Sequence, residues 1–181
     1  GDTEMQAAFR SGEDFHTVTA SRVFHVEPQE VTPEMRRRAK AVNFGIVYGI
    51  SAFSLAQDIG VSVAEAKAYM ERYFETYQGV RQYMTDVVAK AEQDGYVQTL
   101  MHRRRALPEL KSSNFNMREF GKRVALNMPV QGTAADIMKL AMVRVHHRLK
   151  REGLRARLLM QVHDELIVEC PASEREQVER L

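Results

Sequence analysis

The chain is expected to be α+β and mostly helical. Three observations predict this. Capped segments with apolar residues three and four apart fill most of residues 3–151. The period then switches to alternation across 155–169, the pattern of a strand pair. A second, shorter run at 96–100 also reads as a strand.

The 181 residues suffice for one domain or a domain plus a lobe, and 44 % are hydrophobic, enough for a core. Net charge is only +2, so the chain is not globally basic. Its cations are bunched at 36–40, 102–105, 118–123 and 144–151. Such bunching suits salt-sensitive contact with a polyanion, against the plainer reading of scattered surface charge. Cys170 is the only cysteine, which excludes a disulfide within the chain. No apolar run is long enough to span a bilayer and no signal peptide precedes the helices, so a reducing cytoplasmic setting fits. The start at Gly1, without Met, suggests a fragment or processed piece.

The elements follow from local chemistry. Residues 3–10 and 14–25 read as short helices joined at Ser11-Gly12, with His16 in the first turn of the second. Thr32 as cap and Pro33 at the first position open a helix over 33–48, and Gly49 is a stop. Residues 51–59 form a short helix ended by Gly60. Ser62 and Glu65 make a capping box for a helix to about Tyr77, with Ala66, Tyr69, Met70, Tyr73 and Phe74 on its buried face. Another helix runs from about Val80 to Gln93 and stops at Gly95. Residues 101–105 are a basic loop or hairpin tip, and Pro108 and Ser112–Asn114 mark irregular chain.

A helix over 116–127 is expected to be interrupted by Pro129, with a long helix over 131–151 after it. Ile137, Leu140, Ala141, Val145 and Leu149 are its expected apolar stripe. Strands over 155–162 and 165–169 meet at His163-Asp164, a pair not favoured in two-residue turns, which hints at a functional constraint. Ser173 and Glu176 form a second expected capping box, starting a helix that the chain end cuts short.

Two places carry chemistry. On the helix 33–48, Arg36, Lys40, Phe44 and Tyr48 are four apart and share one face. The stripe runs from two cations to two rings. It is either a solvated basic face or a bed for a ligand with a phosphate tail and a flat base. Gly45 removes a side chain beside the rings. Arginines at the start of a helix oppose its dipole, which favours an anionic partner. The second place is Asp164-Glu165, two hard oxygen donors on a tight turn. They are either an exposed polar turn or part of a Mg²⁺ site, and two-metal phosphoryl transfer would need a further carboxylate.

Three motifs in order decide between these readings: Arg36-x3-Lys40-x3-Phe44-x3-Tyr48-Gly49, Gln131-Gly132-Thr133-Ala134-Ala135-Asp136 opening a helix, and Val162-His163-Asp164-Glu165. Together with the linking Asn43-Phe44-Gly45 and Pro129-Val130-Gln131-Gly132, they resemble the family A DNA polymerases, over about Gly12 to Pro171. The resemblance implies the fingers subdomain of a right-hand polymerase with a partial antiparallel palm sheet. Residues 1–127 would be mainly fingers and 128–181 partial palm, with hairpin 155–169. His16, Arg36 and Lys40 would hold the triphosphate of the incoming deoxynucleotide. Phe44 would pack on its sugar and base, and Tyr48 would stand beside the templating base. Arg123, Asn127 and Gln131 would contact primer–template DNA, and His163 would lie by the primer terminus. Asp164 would be a metal ligand supported by Glu165, with two Mg²⁺ in the complete enzyme.

The implied reaction is attack of a primer 3′-hydroxyl on an α-phosphate, with Lys40, Asp164 and Glu165 as catalytic residues. The implied partners are DNA, deoxynucleoside triphosphates and the remainder of the polymerase chain, with no membrane and a nucleoid setting in a bacterium. The family's Asp-Tyr-Ser-Gln-Ile-Glu motif would precede residue 1. The chain alone is therefore expected not to polymerise, and its incomplete sheet would leave an open edge. Two alternatives stand beside this: a fragment of a single-subunit phage-type RNA polymerase, which shares the Arg-Lys-Tyr-Gly helix, and a non-catalytic nucleic-acid-binding module using the basic clusters.

Overall fold

A computed structural model describes residues 1–181. It is α+β and mostly helical, with two two-stranded sheets. The order is α1 (Thr3–Arg10), α2 (Phe15–Phe24), α3 (Pro33–Val47), α4 (Ala52–Ile59), α5 (Val63–Thr76), α6 (Gln78–Asp94), β1 (Tyr96–Gln98), β2 (Arg104–Ala106), α7 (Phe115–Arg151), β3 (Arg157–Val162), β4 (Glu165–Glu169) and α8 (Arg175–Glu179). Short 3-10 turns lie at Pro28–Glu30, Pro108–Lys111 and Ala172–Glu174. No helix is long and apolar enough to cross a membrane.

The chain divides into two compact units. One comprises 1–97 and 104–129; the other comprises 98–103 and 130–181. In the first, Val23, Val42, Ile46, Leu55, Tyr69, Tyr73 and Tyr77 form the main core. Tyr73 and Tyr77 are each 1 % exposed and stack edge to face. Burying a ring of this kind contributes roughly 1.5–3 kcal/mol. The expected caps form: Thr32 accepts a backbone N–H and Ser62–Glu65 is a full capping box, and Asp14 and Ser51 cap α2 and α4 in the same way. Gly49 stops α3 at φ +69.

Gly45 serves a further purpose beyond the one expected. A Cβ there would stand 2.6 Å from Ile50 Cγ2. The glycine makes room for the chain folding back after the helix, with Ile50 N–H donating to Gly45 O at 2.8 Å. It also lines the cleft beside Phe44 and Tyr48.

Three expectations are corrected. Pro129 does not interrupt a helix, because α7 runs unbroken from Phe115 to Arg151. A proline removes one donor from the ladder, and the bonds on either side carry the helix through. Residues 131–136 are therefore mid-helix rather than a helix start. The expected apolar stripe of α7 is largely bare: Leu149 is 3 % exposed, but Ile137 is 57 % and Leu140 44 %.

A polar face of α7 is buried in its place. Thr133 Oγ1 accepts the Leu100 N–H at 3.0 Å, and Arg103 pairs with Asp136. The 98–103 turn needs those partners for its own polar groups, and that requirement selects the face. The second capping box is also absent. α8 has no side-chain cap, and Glu174 instead accepts the N–H groups of Arg155 and Ala156 just before β3. In this unit β3 and β4 pair antiparallel from Arg157↔Glu169 to Val162↔Glu165, with an irregularity between Leu158 and Met160.

Candidate functional site

The helix α3 separates its faces as the spacing predicts. Ala39, Val42, Asn43 and Ile46 are buried, while Arg36, Lys40, Phe44 and Tyr48 lie on the exposed side. Lys40 Nζ stands 5.9 Å from the Phe44 ring centroid. Phe44 and Tyr48 stack nearly parallel, 6.5 Å apart at 18°. Both rings are close to half exposed, at 47 % and 44 %. Cation and rings thus make one continuous surface. A surface of this kind offers cation–π attraction at one end and a stacking face at the other.

His16, in the first turn of α2, joins this surface. Its ring lies 5.7 Å from Phe44, and its Nδ1 lies 3.1 Å from Asn43 Nδ2. Burial lowers the imidazole pKa; the Asp14 carboxylate opposes this, and Arg36 and Lys40 add to the lowering.

Arg36 is not free. Its Nε and Nη2 donate to the two Asp14 carboxylate oxygens, each at 2.8 Å. Asp14 also accepts the Thr17 N–H and hydroxyl. The Arg36 and Thr17 bonds hold the Asp14 carboxyl well below the usual carboxylate range. Glu34 serves Arg37 and Arg38 together, and those bonds bring its carboxyl down to about 2. The cost of three arginines near a helix start is thus offset inside the chain. The dipole argument for an external anion is correspondingly weaker at Arg37 and Arg38.

An open cleft of about 1220 Å³ adjoins the ring end of the stripe. It is lined by Phe44, Tyr48 and Gly49 on one side and by Glu119, Lys122 and Arg123 of α7 on another. A Cβ on Gly49 would meet Arg123 Cγ at 3.2 Å, so the two elements approach closely there. Asn127 follows one turn after Arg123, but its Oδ1 is buried and without a partner. In this arrangement that oxygen is not a surface contact.

The remaining predicted residues belong to the second unit. Gln131 is exposed on α7. His163 and Asp164 form the two-residue turn between β3 and β4, and His163 takes φ +51, a left-handed conformation unusual for a side-chain-bearing residue. Gln161 Nε2 donates to His163 O at 2.8 Å, bracing the turn. Asp164 and Glu165 are exposed. Adjacent carboxylates fit the oxygen preference of Mg²⁺. No third His, Cys, Asp or Glu side chain converges on them.

Sequence reading missed Asp14 and Asn43. Asp14 had a signal as the residue capping α2. Asn43 had one too, as a polar residue on the otherwise apolar face of α3.

The chain belongs to DNA polymerase family A, whose family model matches residues 1–181. Its relatives include DNA polymerase I of Bacillus subtilis (strain 168) and of Bacillus caldotenax, each 56 % identical over 180 residues. The match covers 99 % of this chain and 20 % of either relative, so the chain spans about a fifth of their length. Among solved structures, the POL domain of Pol1 from M. smegmatis, in complex with DNA primer-template and dNTP, matches with a TM-score of 0.93 and 51 % identity. That match covers 99 % of this chain and 32 % of the other.

Proposed function

We propose that this chain is the nucleotide-handling part of a template-directed DNA polymerase, with residues 1–127 mainly fingers and 128–181 part of the palm. The continuous surface from Lys40 across Phe44 to Tyr48 carries this reading. Arg36, Lys40 and His16 take the triphosphate, Phe44 packs on sugar and base, and Tyr48 adjoins the templating base. Arg123, Asn127 and Gln131 contact primer–template, Asn127 through atoms other than its buried Oδ1, and His163 adjoins the primer end. The M. smegmatis relative was solved with DNA and dNTP, which supports these partner classes. With DNA as partner, the setting is the bacterial nucleoid.

In the complete protein the primer 3′-oxygen bonds to the α-phosphorus, and the bond to the bridging oxygen breaks, releasing pyrophosphate. The cations at 36 and 40 offset the charge that builds on the leaving group. Phe44 and Tyr48 hold the base in register, so the reacting atoms meet in line. Mg²⁺ at Asp164 and Glu165 would neutralise phosphate charge, with further ligands from outside these two residues.

The test is Asp164→Ala in the complete polymerase. Turnover should disappear while primer–template affinity stays within about twofold. Retained turnover would reduce the chain to a nucleic-acid-binding module. Primer extension by the 181-residue chain alone is expected to fail, because two-metal transfer needs a further carboxylate beyond Asp164 and Glu165.

A further inference from the structure

Asn43 is 5 % exposed, set among the buried hydrophobics Ala39, Val42 and Ile46. A buried amide needs partners for its polar atoms. Here the amide is turned with its nitrogen toward His16. The Thr19 hydroxyl has one proton and two acceptors in reach, the Phe15 carbonyl at 2.9 Å and Asn43 Oδ1 at 3.3 Å. The Thr19 oxygen is also an acceptor. Asn43 Nδ2 donates to it at 3.2 Å, and the Tyr77 hydroxyl, 3.4 Å away, donates into its other lone pair. The second N–H of Asn43 is left for His16 Nδ1, at 3.1 Å. An amide nitrogen cannot accept, so Nδ1 is bare and the ring proton of neutral His16 sits on Nε2.

We propose that Asn43 is a positioning residue that holds His16 as the Nε2–H tautomer, presenting that proton to the anion gripped by Arg36 and Lys40. The anion in this statement rests on the nucleotide reading above; the tautomer does not. Thr19 and Tyr77 hold the amide from behind, and the Phe44 ring, tilted 52° to the imidazole, limits its plane. A neutral donor suits this place. It adds a hydrogen bond to a phosphate oxygen without adding a third like charge beside two cations. Burial favours the same neutral form, with Arg36 and Lys40 adding to it against Asp14.

The experiment is ¹⁵N spectroscopy of the imidazoles in the 181-residue chain, followed by titration with deoxyadenosine triphosphate and Mg²⁺. The unmutated chain should give His16 a bare Nδ1 and a protonated Nε2. A proton on Nδ1 would overturn the proposal, and this reading requires no variant to fold. Asn43→Asp replaces the donor by a carboxylate and should move the proton to Nδ1. Triphosphate binding should then weaken about tenfold, the scale of one hydrogen bond to a charged group. Because Asp also adds negative charge, Asn43→Asp is repeated beside His16→Ala. Its effect should shrink there, and an undiminished effect would overturn the positioning role. If the tautomer is as stated but triphosphate leaves the Nε2–H signal unmoved, the nucleotide reading fails while Asn43's hold on the ring stands.

Discussion

Asp14 and Arg36 are joined by two hydrogen bonds of 2.8 Å, which tie the cap of α2 to the first turn of α3. Both side chains are more than two-fifths exposed, so the pair contributes only about 0–1 kcal/mol. Its pH dependence has a definite sign. A carboxyl held below its unfolded value of about 3.9 stabilises the fold above that pH, and the contribution fades as pH falls below it. Asp14→Asn keeps an effective cap but loses the charge. Urea melts between pH 3 and 7 should give the variant a flatter acid limb. Identical acid limbs would mean that the pair does not form in solution.

Lys40 is exposed and stands over Phe44 rather than in the core. Lys40→Ala should leave stability within about 0.5 kcal/mol. In the complete polymerase it should raise KM for the nucleotide or lower kcat by tenfold or more, with primer–template affinity little changed. Steady-state kinetics beside a DNA-binding titration decide this. Unaltered nucleotide kinetics would remove the phosphate role of the stripe.

Gly45→Ala would gain about 1 kcal/mol at an ordinary helical site. Here the new methyl meets Ile50 Cγ2 at 2.6 Å, and the Ile50 backbone is bonded to Gly45 itself. The expected result is a loss of about 1–3 kcal/mol. Ile50→Ala in the same chain should recover part of it. A double-mutant cycle by thermal melting measures the coupling, and simple additivity would place the clash elsewhere.

His163 holds φ +51 at the tip of the β3–β4 turn. His163→Gly relieves that conformation and should stabilise the turn by about 1 kcal/mol. In the complete enzyme the same change should lower turnover, since the side chain adjoins the primer end in the proposed function. Amide hydrogen exchange across the hairpin and primer extension report the two effects separately. Faster exchange in the variant would contradict the strain argument.

Much of this fold was legible because helix ends are written locally. Ser62–Glu65, Thr32-Pro33 and Gly49 state where α5 and α3 begin or stop, and the structure follows them. The ridge was legible for the same reason, since four-residue spacing puts Lys40 next to Phe44 without any tertiary information. The failures all involve distant partners. Pro129 looked like a break because the cost of a lost donor can be read from sequence, but the anchoring of both flanks cannot. The buried face of α7 was assigned to Ile137 and Leu140, yet Thr133 and Asp136 are buried there, since residues 99–103 bring polar groups that need them. Asp14 as the partner of Arg36 lies 22 positions away in the chain, beyond any local pattern.

The carboxylates beside α3 also change what a count of cations means. Arg36, Arg37 and Arg38 already have Asp14 and Glu34 as counterions, whereas Lys40 stands over a ring. The effective valence of this helix toward a ligand is therefore far below the four positive residues in its sequence. A plot of log affinity against log salt should be correspondingly shallow. Any added steepness would count the internal ion pairs that the ligand had to open.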